Sequence, residues 1–141
     1  IFILKKELLS IPIFGMYLKK IGSISIDRDR TTKENLGFFE KIKTSVSSSN
    51  RPVIIFPQAT RMAPEDRASF KKGVSRIYKN LEIKCQPVAI NSGNVWPKIG
   101  YLSSNKILTI SILDAIEPGL EEGEFLNILQ KRIYEELDIL N

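Results

Sequence analysis

Five short apolar runs, each bounded by polar or turn-forming residues, set the main constraint on what this chain can fold into. They are "IFIL" (1–4), "SISID" (23–27), "VIIF" (53–56), "CQPVAI" (85–90) and "KILTISILD" (106–114). Each is too short for a stable helix and most are rich in β-branched residues, so each reads as a strand. The segments between them follow a different period. In "TTKENLGFFEKIKTSVSS", Thr31 and Glu34 have capping-box spacing, and Leu36, Phe39, Ile42 and Val46 fall near helical spacing. The final segment places Glu121, Glu122 and Glu124 in a first helical turn, where the helix dipole favours anions. Its apolar stripe is Leu126, Leu129, Ile133, Leu137 and Leu140. Strands alternating with helices predict an α/β fold, a mixed, largely parallel central sheet flanked by helices. The 141 residues, 43% of them apolar, suffice for one domain over 1–141 with its own core. "SVSSSNRP" (45–52) reads as a loop rather than a linker.

Several function classes fall away on composition. No apolar run approaches the ~18–20 residues of a membrane-spanning helix. The longest candidate, "IPIFGMYL" (11–18), is interrupted by Pro12 and Gly15. Its Ile11, Phe14 and Leu18 are expected in the core, although with Lys19 and Lys20 behind it the segment also suits a membrane interface. No signal-peptide pattern is visible, and a start on Ile1 in mid-hydrophobic run places the expected natural N-terminus further upstream. Cys85 is the single cysteine and has no internal partner, which fits a reduced, intracellular setting and a small core residue. The chain has no histidine, so it holds no histidine base and no histidine metal ligand, and no cysteine cluster offers a metal site. Charge is uneven. Residues 101–141 carry three basic groups against eight acidic ones, a net −5, leaving +10 on the first hundred. A basic body of this kind points to an anionic partner. Nucleic acid is disfavoured, because no interleaving of aromatic and basic residues marks a base-stacking face.

In open α/β sheets, ligands bind beyond the carboxyl ends of the strands. Two runs here end in an arginine at that edge: "SISID" leads into Arg28, and "VIIFPQAT" into Arg61. Pro57 lacks a ladder donor and ends its strand, so the chain turns and displays the polar residues beyond it. Arginine presents a planar fork of donors that matches phosphate oxygens, and Thr60 adds a hydroxyl. The competing use of the same residues is structural, with Arg28 paired to Asp27 or Asp29 and Arg61 to Glu65 or Asp66. Lys71, Lys72 and Gly73 precede a helical pattern with Val74, Ile77 and Tyr78, a junction that either binds an anion or simply starts a helix. "NSGNVWP" (91–97) reads as a loop bordering the same edge.

Four stretches, taken in order, resemble the glycerolipid acyltransferase family, of the 1-acyl-sn-glycerol-3-phosphate (lysophosphatidic acid) acyltransferase type. They are "KKELLSIPIFGMYLKKIGSISIDRDR", "IIFPQATR", "FKKG" and "QPVAINSG". The resemblance implies that Arg28, Thr60, Arg61 and Lys72 contact the acceptor's phosphate, with Asp27, Pro57, Gln58, Ala59, Gly73 and Pro87 supporting them. Gln58 and Ala59 stand where the family usually has Glu and Gly. Gln loses the charge, and Ala tolerates positive φ less freely than Gly. The family's catalytic histidine and acid are expected upstream of Ile1, so no catalytic residue is expected within these residues and the fragment alone is expected to be inactive. The implied reaction moves a fatty acyl group from acyl-CoA or acyl-carrier protein to lysophosphatidic acid, giving phosphatidic acid. No metal and no cofactor beyond the thioester co-substrate is implied. The implied location is intracellular, peripheral or anchored at the cytoplasmic face of a membrane. The alternative is a non-catalytic basic module that binds anionic membrane surfaces or other phosphate ligands.

Overall fold

The computed structural model describes residues 1–26 and 34–140, with no account of the side chains of 34–36. Its contacts divide into two compact units, Ile1–Ile55 and Phe56–Asn141.

In the first unit, strand β1 (Ile3–Lys5) pairs in parallel with β2 (Ile24–Ile26), Ile3 opposite Ile24. On the other side of β1, Phe2 forms a parallel bridge with Ile54. The Ile3 amide donates to the Ile54 carbonyl at 3.2 Å, and the Ile54 amide donates to the Ile1 carbonyl at 2.8 Å. Three chain segments therefore run parallel with β1 in the middle, as alternating strands and helices require. The "VIIF" run contributes a single bridge where a full strand was expected. Pro52 and Pro57 bracket it, and neither supplies the N–H that would extend a ladder.

A 3₁₀ turn (Lys6–Ser10) and helix α1 (Phe14–Lys20) connect β1 to β2. A Cβ added at Gly15 would stand 2.1 Å from the Leu9 carbonyl oxygen, so only glycine lets α1 lie directly on the turn before it. Gly15 and Leu18 occupy the buried face. Ile11 and Phe14, expected in the core, are instead nearly half exposed, and Ile13, Met16 and Tyr17 are more so. Seven helical residues offer one narrow inward stripe, and here the close approach at Gly15 takes it up. Helix α2 (Glu34–Ser49) follows the predicted helical pattern and buries Ile42, but it continues through Ser49, so residues 45–49 of the stretch expected as a loop are helical. Thr31, its expected cap, lies outside the described residues.

The second unit contains α3 (Gly73–Leu81), β3 (Val88–Ile90), the short helix α4 (Ser92–Val95), β4 (Ile110–Ile112) and α5 (Glu122–Leu140). Here the pairing is antiparallel, Val88 opposite Ile112 and Ile90 opposite Ile110, and a Cys85–Ile116 bridge continues it. The α/β class thus appears with parallel pairing in residues 1–55 and antiparallel pairing beyond. Helices α3 and α5 pack together through Val74, Ile77 and Tyr78 on one side and Phe125, Leu129 and Ile133 on the other, all buried. The Tyr78 and Phe125 rings stack with centroids 3.8 Å apart and planes 6° apart. Burying each such large side chain contributes about 1.5–3 kcal/mol. The α5 stripe begins at Phe125, one residue before the expected Leu126, because Phe125, Leu129 and Ile133 recur at four-residue intervals.

Helix α5 also covers one face of the β3–β4 ribbon. Ala89 on that face is fully buried, and the Ser111 hydroxyl donates to Glu136 Oε1 at 2.6 Å. A strand's side chains alternate between faces, so Val88, Ile90, Ile110 and Ile112 point the other way, and all four are exposed.

Candidate functional site

The site lies in the second unit, where the loop of residues 57–70 meets the end of β3. At Pro57 the extended run stops and its carbonyl accepts from the Lys71 amide at 2.9 Å, which brings the far end of the loop back to its start. The Ala59 amide donates to the Phe56 carbonyl at 3.0 Å, closing a turn in which Ala59 adopts φ +62°. Alanine thus takes the left-handed conformation that glycine adopts freely, at a cost of about 1–2 kcal/mol. The turn that glycine normally makes is kept despite the substitution.

Helix α5 fastens this loop at several points. The Gln58 side-chain amide donates to the Tyr134 hydroxyl at 3.4 Å, and that hydroxyl donates to the Ala68 carbonyl. The Phe70 amide donates to Gln130 Oε1 at 2.8 Å. Arg67 lies over the Tyr134 ring, 5.3 Å from its centroid, and pairs with Asp138. Arg61 is different. It is exposed, and among the described residues no carboxylate lies within ion-pair distance of it. The Asp66 carboxylate, one of its expected structural partners, accepts instead from the Ala63 amide at 3.3 Å. Of the loop's two arginines, Arg67 is engaged by α5, whereas Arg61 has no ion-pair partner among the described residues.

The opposite wall comes from the chain after β3. Asn91 is buried and fully used: Oδ1 accepts from the Thr109 amide at 2.7 Å, and Nδ2 donates to the Ile107 and Leu140 carbonyls at 3.3 Å each. This fixes the start of α4. A Cβ on Gly93 would approach Pro64 Cγ to 3.2 Å, so the two loops touch there. Between them is a cavity of about 120 Å³, with Gln58, Arg61, Arg67, Asn94, Trp96 and Lys98 among its lining residues. It is smaller than the ~300–1,000 Å³ that takes a drug-sized ligand, and suits a small polar group.

Of the residues marked in the sequence, Gln58 and Arg61 line this cavity, and Pro57 and Ala59 shape the turn that carries them. Thr60 is exposed and lies outside the lining. Lys72 is the exposed N-cap residue of α3 and makes no side-chain cap bond, and Gly73 opens that helix. Neither lines the cavity, although the Lys71 amide places them beside Pro57 along the backbone. Pro87 is fully buried just before β3, and its carbonyl accepts from the Leu113 amide at 3.0 Å. Asp27 and Arg28 lie outside the described residues. The stretch 91–97, expected as a loop at this edge, is instead mostly helix α4, with Asn94 inside it and Trp96 just past its end; Lys98 was not foreseen, since no motif marks it. Cys85 is half-buried, and burial pushes its thiol up, away from the thiolate a nucleophile needs. Among the described residues there is no group of acidic, cysteine or histidine side chains fit to hold a metal ion, and no helix long and apolar enough to cross a membrane.

Comparison with known proteins gives this geometry a setting. A 1-acyl-sn-glycerol-3-phosphate acyltransferase of Pseudomonas aeruginosa is 33% identical over 99 residues, which is 70% of this chain and 38% of that protein. One from Helicobacter pylori is 32% identical over 139 residues, 95% of this chain and 56% of that protein. The chain therefore spans about half the length or less of these relatives. The crystal structure of the 1-acyl-sn-glycerophosphate (LPA) acyltransferase PlsC from Thermotoga maritima superposes with a TM-score of 0.76 at 23% identity, over 99% of this chain and 56% of that one, a likeness of fold. Residues 1–91, which include β1, β3 and the Arg61 turn, match the profile of the Acyltransferase family. By that match, the chain belongs to the acyltransferase family.

Proposed function

We propose that this chain is the acceptor-binding part of an O-acyltransferase that moves a fatty acyl group onto the free hydroxyl of a 1-acylglycerol 3-phosphate, forming phosphatidic acid for phospholipid synthesis. The observation that carries the reading is Arg61, with no carboxylate within ion-pair distance among the described residues, on the wall of a small cavity in a chain of the acyltransferase family. A phosphate in that cavity would meet the Arg61 fork, with Lys98 as a further cation on the lining. By the family resemblance, Arg28, outside the described residues, would be a further phosphate contact.

In the reaction, the acceptor hydroxyl attacks the thioester carbon of an acyl-CoA or acyl-carrier protein. The new C–O ester bond forms, the C–S bond breaks, and the thiolate leaves and takes up a proton. A general base accepts the hydroxyl proton. The 141 residues contain no histidine, so a histidine base is not among them. The contribution of this chain is then positioning: holding the phosphate so that the hydroxyl meets the thioester. Both the lysolipid and its product live in membranes, so the acceptor is met at a membrane surface, which we read as a cytoplasmic face.

The test is binding. Lysophosphatidic acid and the matching monoacylglycerol, which lacks the phosphate, are titrated against the chain and its Arg61→Ala variant. Removing one partner of a desolvated charge pair costs about 2–5 kcal/mol, roughly 30-fold or more in affinity. That loss is expected for the phosphorylated lipid alone. Arg61→Lys should recover only part of it, because lysine supplies charge without the fork. Equal losses on both lipids in a folded variant would mean that Arg61 supports the loop rather than binding phosphate.

A further inference from the structure

Next to the cavity, the chain from Trp96 to Leu108 carries six large apolar side chains that stand more than half exposed among the described residues. Ile99 and Tyr101 are 88% and 95% exposed, Ile107 is 82% exposed, and Trp96, Leu102 and Leu108 are each more than half exposed. The segment is held at its neck. The Ser103 amide donates to the Val95 carbonyl at 2.8 Å, and the Trp96 amide to the Ser92 carbonyl at 2.7 Å. Gly100, at φ +117°, turns the tip. These bonds hold residues 96–102 out as a closed loop, so the exposure is built into the backbone. Apolar patches of this kind on a folded chain mark contact surfaces.

The charges beside these side chains indicate what is contacted. From Ile83 through Leu113 there is no acidic residue, while Lys98 and Lys106 lie within the loop segment itself. Tryptophan and tyrosine favour the level of lipid headgroups, where one end of the ring is apolar and the other wet. Lysine stems lie along apolar surface with the ammonium in the headgroup region, and anionic lipids attract them. Trp96 and Lys98 also line the cavity that contains Arg61.

We propose that the Trp96–Leu108 segment is the element of this chain that seats on an anionic lipid bilayer, with Ile99, Tyr101 and Leu102 entering the interface and Lys98 and Lys106 at the headgroups. This rests on the proposed function in one respect: it supplies the surface from which a phosphorylated lysolipid reaches Arg61. A bilayer-seated loop puts the mouth of the cavity at headgroup depth, so the acceptor's phosphate need not leave the interface to be bound.

Trp96 is the chain's single tryptophan and reports directly on the loop. The 141-residue chain is mixed with phosphatidylcholine vesicles, with and without phosphatidylglycerol, in the absence of any lysolipid. On the anionic vesicles the Trp96 emission should shift to the blue and become shielded from aqueous iodide. Ile99→Ser with Tyr101→Ser should abolish the shift and co-sedimentation. Lys98→Glu with Lys106→Glu should weaken binding at least about tenfold on anionic vesicles and change it little on neutral ones. Ile13→Ser with Met16→Ser, on α1, should bind as the parent chain does.

Vesicle binding that leaves Trp96 unshifted, or that is lost with the α1 pair and kept with the loop pair, would overturn the inference. So would a concentration-dependent dimer in lipid-free sedimentation that the loop pair abolishes, since the occupant would then be a second copy of the chain. These measurements contain no acceptor, so they stand or fall apart from phosphate recognition by Arg61. A chain that loses lysophosphatidate on Arg61→Ala yet never seats Trp96 in a bilayer would sink this proposal alone.

Discussion

The α3–α5 interface and the Trp96–Leu108 segment are built from the same kinds of residue with opposite fates. In the first, Tyr78, Phe125, Leu129 and Ile133 are buried, and in the second, Trp96, Tyr101, Leu102 and Ile107 face outward. Composition does not separate them; periodicity does. Helices α3 and α5 repeat their apolar residues on one face, so two such faces exclude water together. The loop has no period, its side chains leave the backbone in several directions, and no element of the unit covers them. In this pair of regions, the apolar residues without a period are the ones that stay outside the core.

The largest test of this contrast is Phe125→Ala. It removes a fully buried ring stacked on Tyr78 and should destabilise the second unit by about 3–5 kcal/mol in urea unfolding. A loss below about 1 kcal/mol would mean that the interface is loosely packed and the contrast with the loop is false. Next in size is Tyr134→Phe. Its hydroxyl serves both Ala68 and Gln58, so its removal should cost about 1–2 kcal/mol and also weaken lysophosphatidate binding by loosening the turn that carries Arg61. An unchanged lipid affinity in the destabilised variant would separate α5's packing role from its hold on the site. Smallest is Ile99→Ser, which should alter stability by no more than about 0.5 kcal/mol despite deleting a large aliphatic group. A loss comparable to that of Phe125→Ala would show that the loop belongs to the core.

Legibility from sequence divides along the same line. The periodic segments were readable: α2 and α5 lie where their repeats placed them, and β1, β2, β3 and β4 fall at the predicted apolar runs. The "VIIF" run shrank to one bridge because the prolines beside it remove ladder donors, which an apolar pattern alone does not register. Ile11 and Phe14 misled because a seven-residue helix buries only one stripe, and the stripe was set by Gly15 against Leu9.

Arg61 was marked from its place after an apolar run and from the family resemblance, and it lies on the cavity wall. The sequence offered Glu65 or Asp66 as its neutraliser, whereas the loop's engaged arginine is Arg67, with a carboxylate 71 residues away at Asp138. Lys98 was not readable, because nothing in a single chain's spacing tells which loop will stand opposite which.

The fastening of the Arg61 loop by α5 also fixes an order in time. Gln58 waits for Tyr134 across 76 residues, and Phe70 for Gln130 across 60. At synthesis rates of ~5–20 residues per second, about 4–15 s separate the emergence of the turn from that of the helix that holds it. Leu137, near the very end of α5, lines the cavity as well. The cavity beside Arg61 therefore cannot be completed until α5 has emerged, and a chain halted after β4 would carry the arginine without the helix that fastens its loop.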